Sequence, residues 1–286
     1  MTLPGVGAWI KGQVALDKPR RGCDSQLMTL DFSEAEITRY SRHILLKEVG
    51  GIGQARLRAA SVLIIGAGGL GSPASLYLAA AGVGRIGLID HDRVELSNLQ
   101  RQIAHSETRI GMAKTASAAA AMAAVNRLVT IEAHQTRIDT NNVDRFVADY
   151  DLVLDGTDNF ETRFLVADAC VRARRTLISA AVLRFEGQLS TFKPHAGAHY
   201  PCYRCLYSEP PPAGLVPRCS EAGVLGPVTG VMGLLQATEA MKEILGVGSS
   251  LAGVLLLWDA LDMQFRRIGI PRNPDCAVCG GGQLDD

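Results

Sequence analysis

Residues 61–101, SVLIIGAGGLGSPASLYLAAAGVGRIGLIDHDRVELSNLQR, constrain this chain more than any other stretch. Val62–Ile65 is a short continuous apolar run, the pattern of a parallel strand buried on both faces. A glycine turn follows at once, with Gly66, Gly68, Gly69 and Gly71. Ser72–Ala81 then reads as a helix, with Pro73 in its first turn and Gly82 just past its end. A second apolar run, Ile86–Ile89, ends in Asp90. Strand, glycine turn, helix, strand and acid in that order describe a nucleotide site. Glycines let the backbone approach a phosphate, and the helix N-terminus offers unpaired N–H groups. Asp90, 24 residues after Gly66, is placed to accept hydrogen bonds from ribose hydroxyls. Taken alone, the turn fits dinucleotide binding equally well, and glycines can also serve only helix–strand packing.

The next loop separates these readings. Asp92, Asn98, Gln100, Arg101 and Gln102 crowd together, and Lys114 follows at the start of an alanine-rich helix. Hydride transfer has little use for Arg plus Lys beside the nucleotide. An enzyme that neutralises a triphosphate and stabilises leaving pyrophosphate needs both. Each cation taken singly is read more simply as a solvated surface charge. Lys114 at a helix N-terminus opposes the macrodipole and calls for a compensating anion, which a phosphate would supply.

Composition narrows the class. Lys+Arg and Asp+Glu both number 29 in 286 residues, which argues against sequence-independent nucleic-acid binding. No uncharged apolar run reaches membrane-spanning length, and residues 1–32 lack the basic-then-apolar order of a secretory signal. They read as a tail preceding a single domain over residues 33–281, with residues 282–286 a disordered end. Seven cysteines, an odd number with four in Cys-x-x-Cys pairs, point to the cytoplasm.

Along the chain, Ser33-Glu-Ala-Glu36 reads as a capping box opening a helix that carries Arg39 and Arg42 on one face. A solvated or ion-paired face explains that pair without any function. Asp151–Asp155 reads as another buried strand, ending in Gly156-Thr-Asp-Asn159. Asp155 and Asp158 thus fall at a strand's carboxyl end, where Mg²⁺ and phosphates gather, and Asn159 caps the following helix. Phe185–Phe192 shifts towards antiparallel β character, Gly226–Leu245 reads as a long helix with Gly230 and Gly233 suited to close packing, and two further β elements follow.

Cys202-Tyr-Arg-Cys205 and Cys276-Ala-Val-Cys279 form two knuckles about 70 residues apart, the spacing of a closed structural Zn²⁺ site. Two disulfides, or a redox pair, are the alternatives. Residues 208–214 read as a loop that orders on binding, leading to Arg218 and Cys219. Cys219 is either an inert buried thiol or, beside Arg218, an activated one.

Four segments, Gly66–Ser72, Ile89–Val94, Ser97–Gln102 and Leu154–Asn159, resemble the MoeB/ThiF/HesA family, the bacterial relatives of ubiquitin-activating enzymes. The similarity extends over about residues 33–281. It implies a doubly wound, mainly parallel Rossmann-like α/β sheet with an antiparallel extension and a four-cysteine zinc knuckle. It implies a homodimer in which Arg42 reaches across to the partner's ATP phosphates, with Asp158 the metal-linked acid. The implied reaction is adenylation of the C-terminal Gly-Gly of a small ubiquitin-like sulfur carrier, using ATP and Mg²⁺, with structural Zn²⁺. The family cysteine at Cys219 forms a covalent adduct in some members and is dispensable in others. A sulfurtransferase or cysteine desulfurase is a further expected partner. Cys219-Ser-Glu-Ala-Gly223 looks closer to the molybdopterin-branch form than to the thiazole-branch form, and no rhodanese domain follows in these 286 residues. An NAD-dependent oxidoreductase and a non-catalytic carrier-binding module are the alternatives of another class.

Overall fold

The computed structural model describes residues 30–212, 215 and 219–280, the side chains of Cys219 and Ser220 excepted. The expected N-terminal tail up to residue 29, Arg218, and the expected disordered end lie outside the described residues, as do residues 213 and 214 of the loop expected to order on binding.

Eight strands form one sheet in the order β3-β2-β1-β4-β5-β6-β7-β8. The parallel half comprises β1 (Ser61–Ile65), β2 (Arg85–Ile89), β3 (Thr130–His134), β4 (Leu152–Asp155) and β5 (Thr176–Leu183). The antiparallel half adds β6 (Glu186–Phe192), β7 (Val254–Asp259) and β8 (Gln264–Gly269). The order 3-2-1-4-5 places a topological switch between β1 and β4, where doubly wound sheets bind ligands.

Apolar runs form the central strands because both of their faces are covered. Val62 and Ile64 point into one layer with α3 (Gly71–Ala81), α4 (Lys114–Val125) and α9 (Gly226–Leu245). Leu63 and Ile65 point into the other with α5 (Val143–Ala148), α6 (Phe160–Arg172) and the short α7 (Tyr203–Leu206). With alternate residues going to opposite layers, polar residues have no place between Val62 and Ile65.

Two further helices precede the sheet, α1 (Glu34–Ile44) and α2 (Gly50–Ala59), and a short α8 (Cys219–Ala222) precedes α9. Ser33 caps α1 as expected: Glu36 N–H donates to Ser33 Oγ at 3.2 Å and Ser33 N–H to Glu36 Oε2 at 2.9 Å. Helix α2 was not foreseen, since GGIGQARLRA carries three glycines in its first four residues and no strong apolar stripe. On α9 only one of the two glycines acts as expected. A Cβ on Gly233 would lie 2.4 Å from the Leu70 carbonyl oxygen, whereas one on Gly230 would meet nothing. Gly233 alone permits the close approach of α9 to α3.

Candidate active site

The carboxyl ends of β1, β2 and β4 open into a cleft of about 270 Å³ whose lining includes Gly66, Gly68, Gly69, Asp90, Asp92, Asn98, Arg101, Lys114 and Asp158. All nine are site residues expected there, and Gly71, expected with them, lies immediately behind. Asp158 is exposed at the mouth.

The glycine turn is built by contact. Gly66 has φ +96°, and a Cβ there would sit 2.9 Å from the Gly156 carbonyl oxygen; one on Gly71 would overlap the Gly66 carbonyl oxygen. Any larger residue would push the turn off the ends of β1 and β4.

Asp90 holds this turn from the side. Its Oδ2 accepts from Ala67 N–H at 2.8 Å and its Oδ1 from Asp92 N–H at 2.8 Å. A carboxylate has about four lone-pair sites, so capacity remains for ribose hydroxyls. Asn98 is nearly buried, and its Oδ1 accepts from Glu95 N–H at 3.0 Å, which closes its own turn. Arg101 is half-buried and anchored through Nη1 to the Ser97 carbonyl at 3.1 Å.

Lys114 departs from the expectation in one respect. Its side chain is only 9% exposed, and the anion that compensates it is Asp92, with Nζ 2.8 Å from Oδ2. Burial raises the Asp92 carboxyl, but the Lys114 ammonium outweighs it and holds the carboxyl below its usual range.

The acid pair on the β4 loop divides by role, which corrects the placement of Asp155 at the metal. Asp155 is 1% exposed and accepts from Thr157 N–H at 3.0 Å, Thr157 Oγ1 at 2.7 Å and Ser179 Oγ at 2.9 Å. It does not line the cleft, because the residue ending β4 points into the fold. Asp158 does line it and makes no hydrogen bond or ion pair among the described residues. A single free carboxylate beside the glycine turn suits Mg²⁺, which takes one or two carboxylates. Asn159 caps α6 as expected, accepting from Thr162 N–H at 2.8 Å.

Arg163 and His105 were missed. Arg163, buried in the first turn of α6, donates to the Thr157 carbonyl at 2.5 Å and so braces the loop that carries Asp158. Its spacing four residues after Asn159 was the available signal. Gln102 lines the cleft nearly buried, and its Oε1 has no hydrogen-bond partner among the described residues. Arg42 lies exposed on α1, outside the cleft of its own chain, while its helix neighbour Arg39 donates to the Val125 carbonyl at 2.9 Å at the end of α4. Cys219 is the first residue of α8, and its side chain lies outside the described residues.

The four knuckle cysteines converge. Sγ separations are 3.9 Å for Cys202–Cys205, 3.6 Å for Cys202–Cys276 and 3.5 Å for Cys205–Cys279. Tetrahedral ligands at the usual Zn–S length of about 2.3 Å stand roughly 3.8 Å apart, so the set fits one ion. Disulfide bonds, at about 2.05 Å, are absent among these four. Asn273 N–H donates to Cys205 Sγ at 3.4 Å, which favours its thiolate form.

The family model described as the ThiF family matches residues 40–278. The SAMP-activating enzyme E1 of Haloferax volcanii is 47% identical over 258 residues, covering 90% of this chain and 94% of that protein. The sulfur carrier protein adenylyltransferase of Thermus thermophilus is 47% identical over 252 residues, covering 87% and 93%. The adenylyltransferase and sulfurtransferase MOCS3 of Sus scrofa is 52% identical over 249 residues; these are 87% of this chain but 54% of MOCS3, so the chain spans about half of that relative. Among solved structures, E. coli MccB with ATP aligns at a TM-score of 0.74 and 25% identity, over 85% of this chain and 75% of MccB.

Proposed function

The chain belongs to the ThiF family, and we propose that it adenylates the C-terminal glycine of a small ubiquitin-like sulfur carrier, of the molybdopterin-synthase type. It is an adenylyltransferase by relationship: a sulfur carrier protein adenylyltransferase is 47% identical over 93% of its own length. The observation that carries the reading is the convergence of the glycine turn, Asp90, Arg101, Lys114 and Asp158 on one cleft at the switch point of the sheet.

In the reaction, a carboxylate oxygen of the carrier's terminal glycine forms a bond to the α-phosphorus of ATP. The bond from that phosphorus to the bridging oxygen breaks, and pyrophosphate leaves. The carboxylate is already ionised at neutral pH, so no strong general base is required. Catalysis falls to positioning and to charge neutralisation. Gly66–Gly71 bring backbone N–H groups against the phosphates, and Asp90 holds the ribose. Arg101 and Lys114 offset the triphosphate charge, joined by Arg42 of the partner subunit in a homodimer. Mg²⁺ bound at Asp158 supplies further charge neutralisation of the phosphate oxygens. Zn²⁺ on Cys202, Cys205, Cys276 and Cys279 is structural, since four thiolates leave no open position. Cysteines without disulfides fit a reducing cytoplasm, and no helix among the described residues is long and apolar enough to cross a membrane. Cys219 is the candidate for a covalent sulfur-linked adduct with the carrier, and a sulfurtransferase or cysteine desulfurase is a separate expected partner.

The deciding experiment measures pyrophosphate release from ATP and Mg²⁺ with each of two carriers. Release dependent on the molybdopterin-synthase small subunit supports the reading in full. Release only with the thiazole carrier keeps the chemistry and moves the pathway. Binding of NAD in place of ATP, or carrier binding without pyrophosphate release, would overturn it.

A further inference from the structure

A run of hydrogen bonds passes around the back of the cleft from Lys114 to Ser117, and His105 lies in it behind the residues that line the cleft. Lys114 Nζ meets Asp92 Oδ2 at 2.8 Å. Asp92 N–H meets Asp90 Oδ1 at 2.8 Å, and Asp90 Oδ2 meets Ala67 N–H at 2.8 Å. The Ala67 carbonyl then meets His105 Nε2 at 3.0 Å, and His105 Nδ1 meets Ser117 Oγ at 3.0 Å. Ser117 stands one turn beyond Lys114 on α4. The two peptide groups on either side of the Ala67 Cα, in the glycine turn, are thus each held, the Gly66–Ala67 peptide by Asp90 at its N–H and the Ala67–Gly68 peptide by His105 at its carbonyl.

We propose that His105 is a positioning residue for the nucleotide, locking the Ala67–Gly68 peptide so that the N–H groups of the glycine turn stay aimed at the phosphates. A carbonyl only accepts, so Nε2 carries the proton; Nδ1 then accepts from the Ser117 hydroxyl in the neutral ring. Ser117 is 0% exposed and His105 is 8% exposed, so water cannot replace the ring. Burial lowers the ring's pKa most, the Ala67 hydrogen bond and Asp90 oppose it, and the charges of Lys114 and Arg109 add to the lowering. Without His105, the turn keeps its glycines but loses the tie that sets the angle of its central peptide. The residue touches no substrate atom and acts through Ala67.

This inference rests on the reading of the cleft as a nucleotide site, and the test separates the two. Calorimetric titration of the intact protein with ATP and Mg²⁺ comes first; absence of binding in the unaltered protein defeats the site reading itself. Given binding, His105→Leu should weaken ATP binding about 10-fold, from the buried carbonyl left without a donor. His105→Gln, whose amide can donate to Ala67 and accept from Ser117, should restore affinity to within about 3-fold, on the scale of one retained hydrogen bond. The KM for ATP should rise in the Leu variant while the KM for the carrier stays unchanged, a split that general loosening of the fold would not produce. Nitrogen-15 spectra of the unaltered protein at neutral pH should show His105 protonated at Nε2 and bare at Nδ1. ATP affinity in folded His105→Leu equal to that of the unaltered protein, or the opposite tautomer, would overturn the proposal. Should the Leu variant not fold, His105→Gln and the tautomer decide the question alone.

Discussion

Lys114 Nζ lies 2.8 Å from Asp92 Oδ2, and the lysine is the buried member of the pair while the aspartate is half exposed. Under the proposed function, that asymmetry makes Asp92 a placeholder, compensating a buried ammonium at a helix N-terminus until a phosphate takes over. Lys114→Ala is expected to lower pyrophosphate release by about 10²–10³-fold, the loss typical for one preorganised charge-stabilising donor. Asp92→Asn should cost less, because the cation remains and only its resting partner is weakened. Steady-state kinetics of the two variants check this; near-normal turnover in Lys114→Ala would remove the lysine from the mechanism.

Asp155 and Asp158 stand three residues apart on one loop, yet their expected phenotypes are opposite. Asp155 is buried against Thr157 and Ser179, with Arg163 at 3.9 Å. Its truncation strands the buried Arg163 charge, and Asp155→Ala should lose about 3 kcal/mol of stability. In a domain of this size that corresponds to a melting midpoint lower by roughly 6–12 °C. Asp158→Asn should melt like the unaltered protein and lose its Mg²⁺-dependent activity. Thermal melts alongside Mg²⁺ titrations of activity distinguish the two, and a large drop in melting temperature for Asp158→Asn would argue for a structural role instead.

The legible part of this chain was the part in which each residue has one job. Val62–Ile65 could only be a doubly buried strand, Ser33 and Glu36 could only cap, and the glycine turn admits no side chain at Gly66 or Gly71. The nucleotide cleft followed because it sits where the sheet order reverses. What the sequence left ambiguous depended on direction. Asp155 and Asp158 read alike as acids after a strand, and only the pleat decides that the first points inward. Lys114 asked for an anion, and the fold supplied Asp92 from 22 residues away. His105 was invisible because its partners, a main-chain carbonyl and a serine, leave no mark in composition or periodicity.

The sulfur cluster should behave as a staple. It joins α7 to residues 276–279 across a small apolar group with Val171 and Val278. Purified protein is expected to carry one equivalent of zinc per chain, and Cys276→Ser should lose it with a clear fall in melting temperature. Activity per folded molecule should persist, since a four-thiolate site offers no open position to substrate. Metal analysis with melts tests this. Full zinc content in Cys276→Ser would show that the four sulfurs do not act together.

His195 gives the stability a pH dependence whose sign is fixed. Its burial comes first, followed by the nearby Arg174, Lys193 and Arg175, and together they push the imidazole down to about 4. Unfolded, the ring titrates near 6.5. The folded protein therefore refuses a proton that the unfolded chain accepts, and stability is fully present above about 6.5. It is lost progressively as pH falls from there towards 4, and no further below. His105, lowered by its own burial, acts with the same sign. Carboxylates such as Glu132, held low mainly by Arg85, contribute only in more acidic solution, so the interval from pH 7 to 5 isolates the imidazoles. Urea unfolding in that interval should show the midpoint falling with acid, and His195→Gln should flatten the slope. An unchanged slope in that variant would place the acid sensitivity elsewhere in the fold.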